Sequence, residues 1–205
     1  MNDLKKFINE KTYNTLKKHF EKEVVRARNA WQSAGQEEDA LVGHLFGYLT
    51  RKKKDGIEVT YKKFRSKGKN AFEKRSGADG IIQIQVFSNY DNQLPIFSKG
   101  ILFQAKTFSN SDRNRMQIQK RNMREFAGDK GAIITFHPTG EIFAYSGENE
   151  LNEKSFDQFL AVDFLNCKEG VIGLRFDSTK SELYYPNSNT ISNQSLEHIL
   201  SITVN

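Results

Sequence analysis

Three side chains in the middle of this chain have the types and spacing for phosphate or metal chemistry. Asp79 sits in Gly77-Ala78-Asp79-Gly80, immediately before the apolar run Ile81-Ile82-Gln83-Ile84-Gln85-Val86-Phe87, and Gln104 and Lys106 close the run Gly100-Ile101-Leu102-Phe103-Gln104-Ala105-Lys106. Both runs read as strands. Side chains alternate with period two, so Gln104 and Lys106 share one face while Phe103 and Ala105 share the other. If the strands are neighbours, Asp79 approaches that pair. An acid, a neutral amide oxygen and an ammonium then surround one point, which suits a cation and a phosphate. The bland reading makes Asp79 a turn residue before a glycine and Gln104 and Lys106 the solvent face of an edge strand.

The elements that must position these groups follow from periodicity. Residues 3 to 31 read as helix, with Leu16, Phe20, Val24, Ala27 and Trp31 at three- to four-residue spacing and an interruption between Asn9 and Asn14. A second helix begins after Ser33-Ala34-Gly35-Gln36, with the stripe Leu41, Val42, Leu45, Phe46 and Leu49. Glu38 stands three, four and seven positions before Leu41, Val42 and Leu45, so it lies on the inward face and needs a partner. Glu37 and Asp39 point to the sides and read as partners of the helix dipole.

Gly56 to Lys63 has strand character, expected to pair with the strand that Asp79 opens. A long hairpin through Ser88 to Gln93 joins the Asp79 strand to the Lys106 strand. Asp112 to Ala127 reads as a helix ended by Gly128, with Met116, Met123 and Phe126 as its apolar stripe and Gln117, Lys120, Arg121 and Arg124 on another face. Gln117 and Lys120 are candidates to meet a phosphate, although a solvated face is the favoured reading of them. Two strands, 132–136 and 141–145, flank the turn His137-Pro138-Thr139-Gly140. Beyond Gly147 the pattern predicts a helix over 155–165, short strands near 171–176 and 182–185, a polar loop over 186–195, and an edge strand over 199–204. That final quarter shows no reactive chemistry of its own.

A chain of 205 residues fits one domain that buries about 70% of its unfolded surface. It divides into an N-terminal helical region (1–34), a core (37–145) and a C-terminal extension (146–205). The lone Cys167 excludes an internal disulfide and any cysteine-based zinc framework. With no apolar leader and no apolar run long enough to span a bilayer, the expectation is a cytoplasmic protein without membrane partners.

The formal net charge is +6, unevenly spread: eleven Lys or Arg lie between Arg51 and Arg75 against three acids. Lys62, Lys63, Arg65, Lys67 and Lys69 form the centre of this segment, which points to a nucleic-acid backbone, because neutralising phosphates releases counterions. A solvated loop is the alternative reading.

A helix bearing Glu38, a strand, a strand opened by Asp79, a strand ending in Gln104-Ala105-Lys106, a helix and a strand follow one another over residues 37 to 145. This order resembles the PD-(D/E)XK nuclease superfamily, in the variant with Gln in place of the usual Glu, as in Mrr-like restriction enzymes. The resemblance implies an α/β restriction-endonuclease-like core, with a mixed central sheet flanked by helices in the order αβββαβ. It implies that Asp79, the Gln104 amide oxygen, the Ala105 carbonyl and Glu38 ligate Mg²⁺, with Mn²⁺ as a substitute. Lys106 would position the attacking water or steady the charge building on the phosphate, in hydrolysis of DNA phosphodiester bonds. Restriction or anti-phage defence, a homodimer for cutting both strands, and an activating partner or ligand are further expectations. Gln104 removes one negative charge from the usual set, and Ala78 stands where the family often has Pro. A catalytically degenerate nucleic-acid-binding module of the same fold, and a protein-interaction domain with an acidic partner, are the competing readings.

Overall fold

The computed structural model describes residues 4–35, 37–64, 76–88, 94–108, 113–127, 130–147, 152–186, 188–191 and 196–205. After a short 3₁₀ turn at Leu4–Lys6, helix α1 spans Glu10–Asn29. Asn9 fixes its start, because the side-chain oxygen accepts from the Thr12 N–H at 2.8 Å and satisfies one of the free donors of the first turn. Helix α2 spans Glu38–Leu49 and buries Leu41, Val42, Leu45, Phe46 and Leu49, the stripe read from the sequence.

Strands β1 (Arg51–Lys54), β2 (Ile57–Lys63), β3 (Gly80–Val86) and β4 (Phe97–Thr107) precede helix α3 (Arg113–Ala127). Then come β5 (Ala132–Phe136), β6 (Ile142–Ser146), β7 (Lys154–Ser155) and a helical segment that passes from an α turn, Phe156–Gln158, into a π-helical stretch, Phe159–Phe164. The chain closes with β8 (Val171–Ile172), β9 (Arg175–Asp177), β10 (Glu182–Tyr185), β11 (Ser188–Ile191) and β12 (His198–Val204).

The architecture is α/β. A mixed, mostly antiparallel sheet runs β1-β2-β12-β3-β4-β5-β6-β7, with β8 against β4, and a small sheet runs β11-β10-β9. Two of the expected pairings are overturned. β2 does not pair with β3, and the last strand is not at an edge: β12 lies between them, antiparallel to β2 and parallel to β3. The reason is burial on both faces. Leu200, Ile202 and Val204 enter the apolar cluster under α1 and α2, whereas Ile199 enters the cluster on the other face. A strand buried on both sides belongs inside a sheet. Residues 188–191, expected in a loop, form β11 against β10.

Helices α1 and α2 and the 156–164 segment cover one face through Phe20, Phe46 and Phe159, with Phe46 against Phe103 of β4. On the other face, Met123 of α3 and Phe176 and Leu183 of the small sheet pack on Ile81, Leu102 and Ile133. Gln83, buried in β3, fastens the small sheet: its amide donates to the Phe176 carbonyl (3.1 Å) and Ser201 Oγ (2.9 Å), and its oxygen accepts from Phe176 N–H (2.7 Å). Among the described residues, no helix is long and apolar enough to cross a membrane.

Candidate active site

The sheet register brings five chain segments to one end. β3 and β12 both start there, β2 and β4 both end there, and α2 points its N-terminus at it, since His198 stands opposite Gly80 and Lys63 while Gly80 stands opposite Phe103. Asp79 is held by its backbone between two strands. Its N–H donates to the Phe103 carbonyl (2.8 Å), and its carbonyl accepts from the N–H groups of Glu197 (3.2 Å) and His198 (3.1 Å).

The glycines beside Asp79 are required by close approach. A Cβ on Gly80 would collide with the His198 carbonyl oxygen and the Phe103 ring. Gly77, at φ +67°, lies against the backbone of Gln119 in α3, where a Cβ would stand 2.5 Å from the Gln119 carbonyl oxygen.

Within this frame the sequence-predicted residues converge. Asp79 Oδ2 accepts from Gln104 Nε2 (2.6 Å) and from Ala105 N–H (2.7 Å), and Gln104 Nε2 lies 3.3 Å from the Ala105 carbonyl oxygen. Glu38, on the inward face of α2, reaches the strand end just beyond them: Oε1 accepts from Thr107 N–H (3.1 Å), and Oε2 lies 3.5 Å from Lys106 Nζ. The Lys106 side chain is only 12% exposed, so its ammonium is held rather than solvated.

Gln104 itself is buried, yet its Oε1 has no hydrogen-bond partner among the described residues. An orphaned buried oxygen costs about 1–3 kcal/mol. A half-turn of the amide exchanges its ends and puts Oε1 among Asp79 Oδ2 and the Ala105 carbonyl oxygen. So turned, the three would form an all-oxygen donor set with one firm negative charge, which fits a hard divalent cation that keeps part of its water.

The basic residues are placed differently. Lys62 and Lys63 leave β2 on opposite faces: Lys62 Nζ donates to Ser178 Oγ (3.1 Å) on the small-sheet side, and Lys63 pairs with Asp39 on the α2 side. Gln117 is exposed on α3, and Lys120 Nζ lies 4.8 Å over the Tyr145 ring. Arg65, Lys67 and Lys69 lie outside the described residues, as do 89–93 of the hairpin turn.

A second group adjoins the first, and the sequence reading missed it. Asp39, read as a dipole partner only, lies 3.0 Å from His198 Nε2 through Oδ1, while Lys63 holds its Oδ2. Tyr61 Oη lies 2.8 Å from His198 Nδ1. Burial pushes the His198 imidazole down to about 4, with Lys63 adding to the effect and Asp39 opposing it, so the ring is neutral near pH 7. Burial, then the charges of Asp39 and Glu197, push the Tyr61 hydroxyl up to about 12. No local pattern announces this group, because its members meet only through the placement of β12.

No protein-family model, curated protein or solved structure matches this chain.

Proposed function

We propose that the Asp79–Gln104–Lys106–Glu38 group is the active site of a metal-dependent endonuclease of the PD-(D/E)XK type, hydrolysing phosphodiester bonds in DNA. The observation that carries this reading is the convergence of Asp79 Oδ2, the Gln104 amide and the Ala105 carbonyl on one point beside a held lysine, with Gln104 Oε1 otherwise orphaned.

Asp79, the Gln104 oxygen, the Ala105 carbonyl and Glu38 are the residues that would hold Mg²⁺ or Mn²⁺. When bound, the ion polarises a phosphoryl oxygen and lowers the pKa of its water. The chain's own residues do the rest. The backbone clamp on Asp79 presets its carboxylate, so no reorganisation is needed when the phosphate arrives. Glu38 keeps Lys106 Nζ at the strand end, from where the ammonium orients the attacking water and stabilises the negative charge that grows on the phosphate. The basic segment from Arg51 to Arg75 supplies the positive field that draws in the DNA backbone. A homodimer would cut both strands, since one site cuts one. A defence setting and an activating partner rest on the resemblance alone.

The second reading is a binding module of this fold that has lost its reaction. Gln104 favours it, because the amide donates to Asp79 in place of a repelling carboxylate. Incubating the protein with supercoiled and linear DNA in Mg²⁺, Mn²⁺ or EDTA separates the two. Metal-dependent nicking supports the nuclease; salt-sensitive binding without cleavage in any metal supports the module.

A further inference from the structure

We propose that Asp39, Glu197 and His198 form a second cation site beside the first, one that takes a borderline transition ion such as Zn²⁺. The inference does not depend on the nuclease reading.

One ligand atom from each of the three residues lies within 4.8 Å of the other two. The His198 side chain is 3% exposed and presents Nε2 at 3.0 Å from Asp39 Oδ1. That oxygen is itself buried, and its partner in the metal-free protein is the His198 ring. The same separation is that of neighbouring ligands: at metal–ligand distances of about 2.1 Å, adjacent positions stand roughly 3.0 to 3.4 Å apart, so a cation can take the place of a proton between them.

The surroundings fit the same role. Tyr61 Oη, 2.8 Å from Nδ1, is the outer partner that a ligating imidazole needs: with the proton on Nδ1 the ring would donate to Tyr61 and leave its Nε2 lone pair for an ion. Lys63 holds Oδ2 of Asp39 and so turns Oδ1 inward. Two carboxylates and one ammonium leave a local charge of about −1 that a dication reverses. One imidazole nitrogen selects a borderline ion over Mg²⁺. The backbone N–H groups of Glu197 and His198 bind the Asp79 carbonyl, so this group is built into the same strand ends as the first.

Calorimetric titration of the metal-free full chain with Zn²⁺ tests the site. A Zn²⁺ binding event is expected in the wild type and should persist in Asp79→Ala, which removes only any binding at the first group. That event should weaken on the order of 100-fold or more in His198→Gln and in Glu197→Gln, and roughly 10- to 100-fold in Tyr61→Phe. Glu197 is only partly buried, so its variant keeps the readout even if His198→Gln fails to fold. No Zn²⁺ binding by the wild type, binding that Glu197→Gln leaves untouched, or binding lost in Asp79→Ala alone would each overturn the proposal.

Discussion

At Gln104 a neutral amide touches Asp79, where a second carboxylate would repel it. This sets a prediction that needs no activity. Gln104→Glu places two carboxylates side by side in a buried position, so in EDTA the variant should lose about 1–3 kcal/mol against the wild type. Mg²⁺ should restore most of that loss. Thermal melts with and without Mg²⁺ check it, and the metal-induced rise should be larger in the variant. Asp79, Gln104, Lys106 and the inward Glu38 were legible in the sequence because strand and helix periodicities assign faces directly. Asp39, Tyr61, Glu197 and His198 were not, because a face does not name the residue that a distant strand brings to it.

Lys99 is a second buried ionisable residue with a testable consequence. Its ammonium donates to the Phe164 carbonyl and lies 3.9 Å from the Phe164 ring centre. Burial lowers it from 10.5 to about 8, with the nearby Cys167 opposing. Between these values the unfolded chain binds the proton that the folded chain has released, so stability rises with pH across the window, by about 3 kcal/mol in total. Lys99→Met should remove that rise and be neutral or stabilising at pH 7. Denaturant unfolding of both proteins at pH 7, 8.5 and 10 measures the difference.

At the scale of elements, α1, α2 and α3 follow from an apolar stripe at helical period, and β2 to β6 from short runs of apolar and β-branched side chains bounded by turn residues, those of β3, β4 and β5 being buried on both faces. β1 has no apolar signature because Arg51–Lys54 carries no apolar side chain, and it sits at the sheet edge through its pairing with β2. β12 was recognised as a strand but misplaced. Its central position depends on pairing with β2 and β3, more than a hundred residues earlier in the chain. The close seating of β12 against β3 gives a further prediction. Gly80→Ala forces a methyl group against the His198 carbonyl and Phe103, which should cost about 1–3 kcal/mol. On the proposed nuclease reading it should also displace Asp79 and slow cleavage by roughly 100-fold even where the variant remains folded. Melting temperature and cleavage rate, measured on the same preparation, report both effects.

For the whole molecule, the topology gathers the candidate chemistry at one end of the main sheet, with the basic β1–β2 ribbon on the same side of the strand order as β12. The wide burial on both faces of the sheet makes the two groups rigid, which a site that works by positioning requires. On the proposed reading, Asp79 and Lys106 act at one metal-dependent site on DNA. The most direct test of this is nicking of supercoiled plasmid in Mg²⁺ and in Mn²⁺ by the wild type, Asp79→Ala and Lys106→Ala, each shown by circular dichroism to be folded. Nicking by the wild type, abolished by EDTA and by either substitution while DNA binding persists, is the expected result. Nicking that survives Asp79→Ala, or a folded wild type that never cuts in either metal, would contradict it.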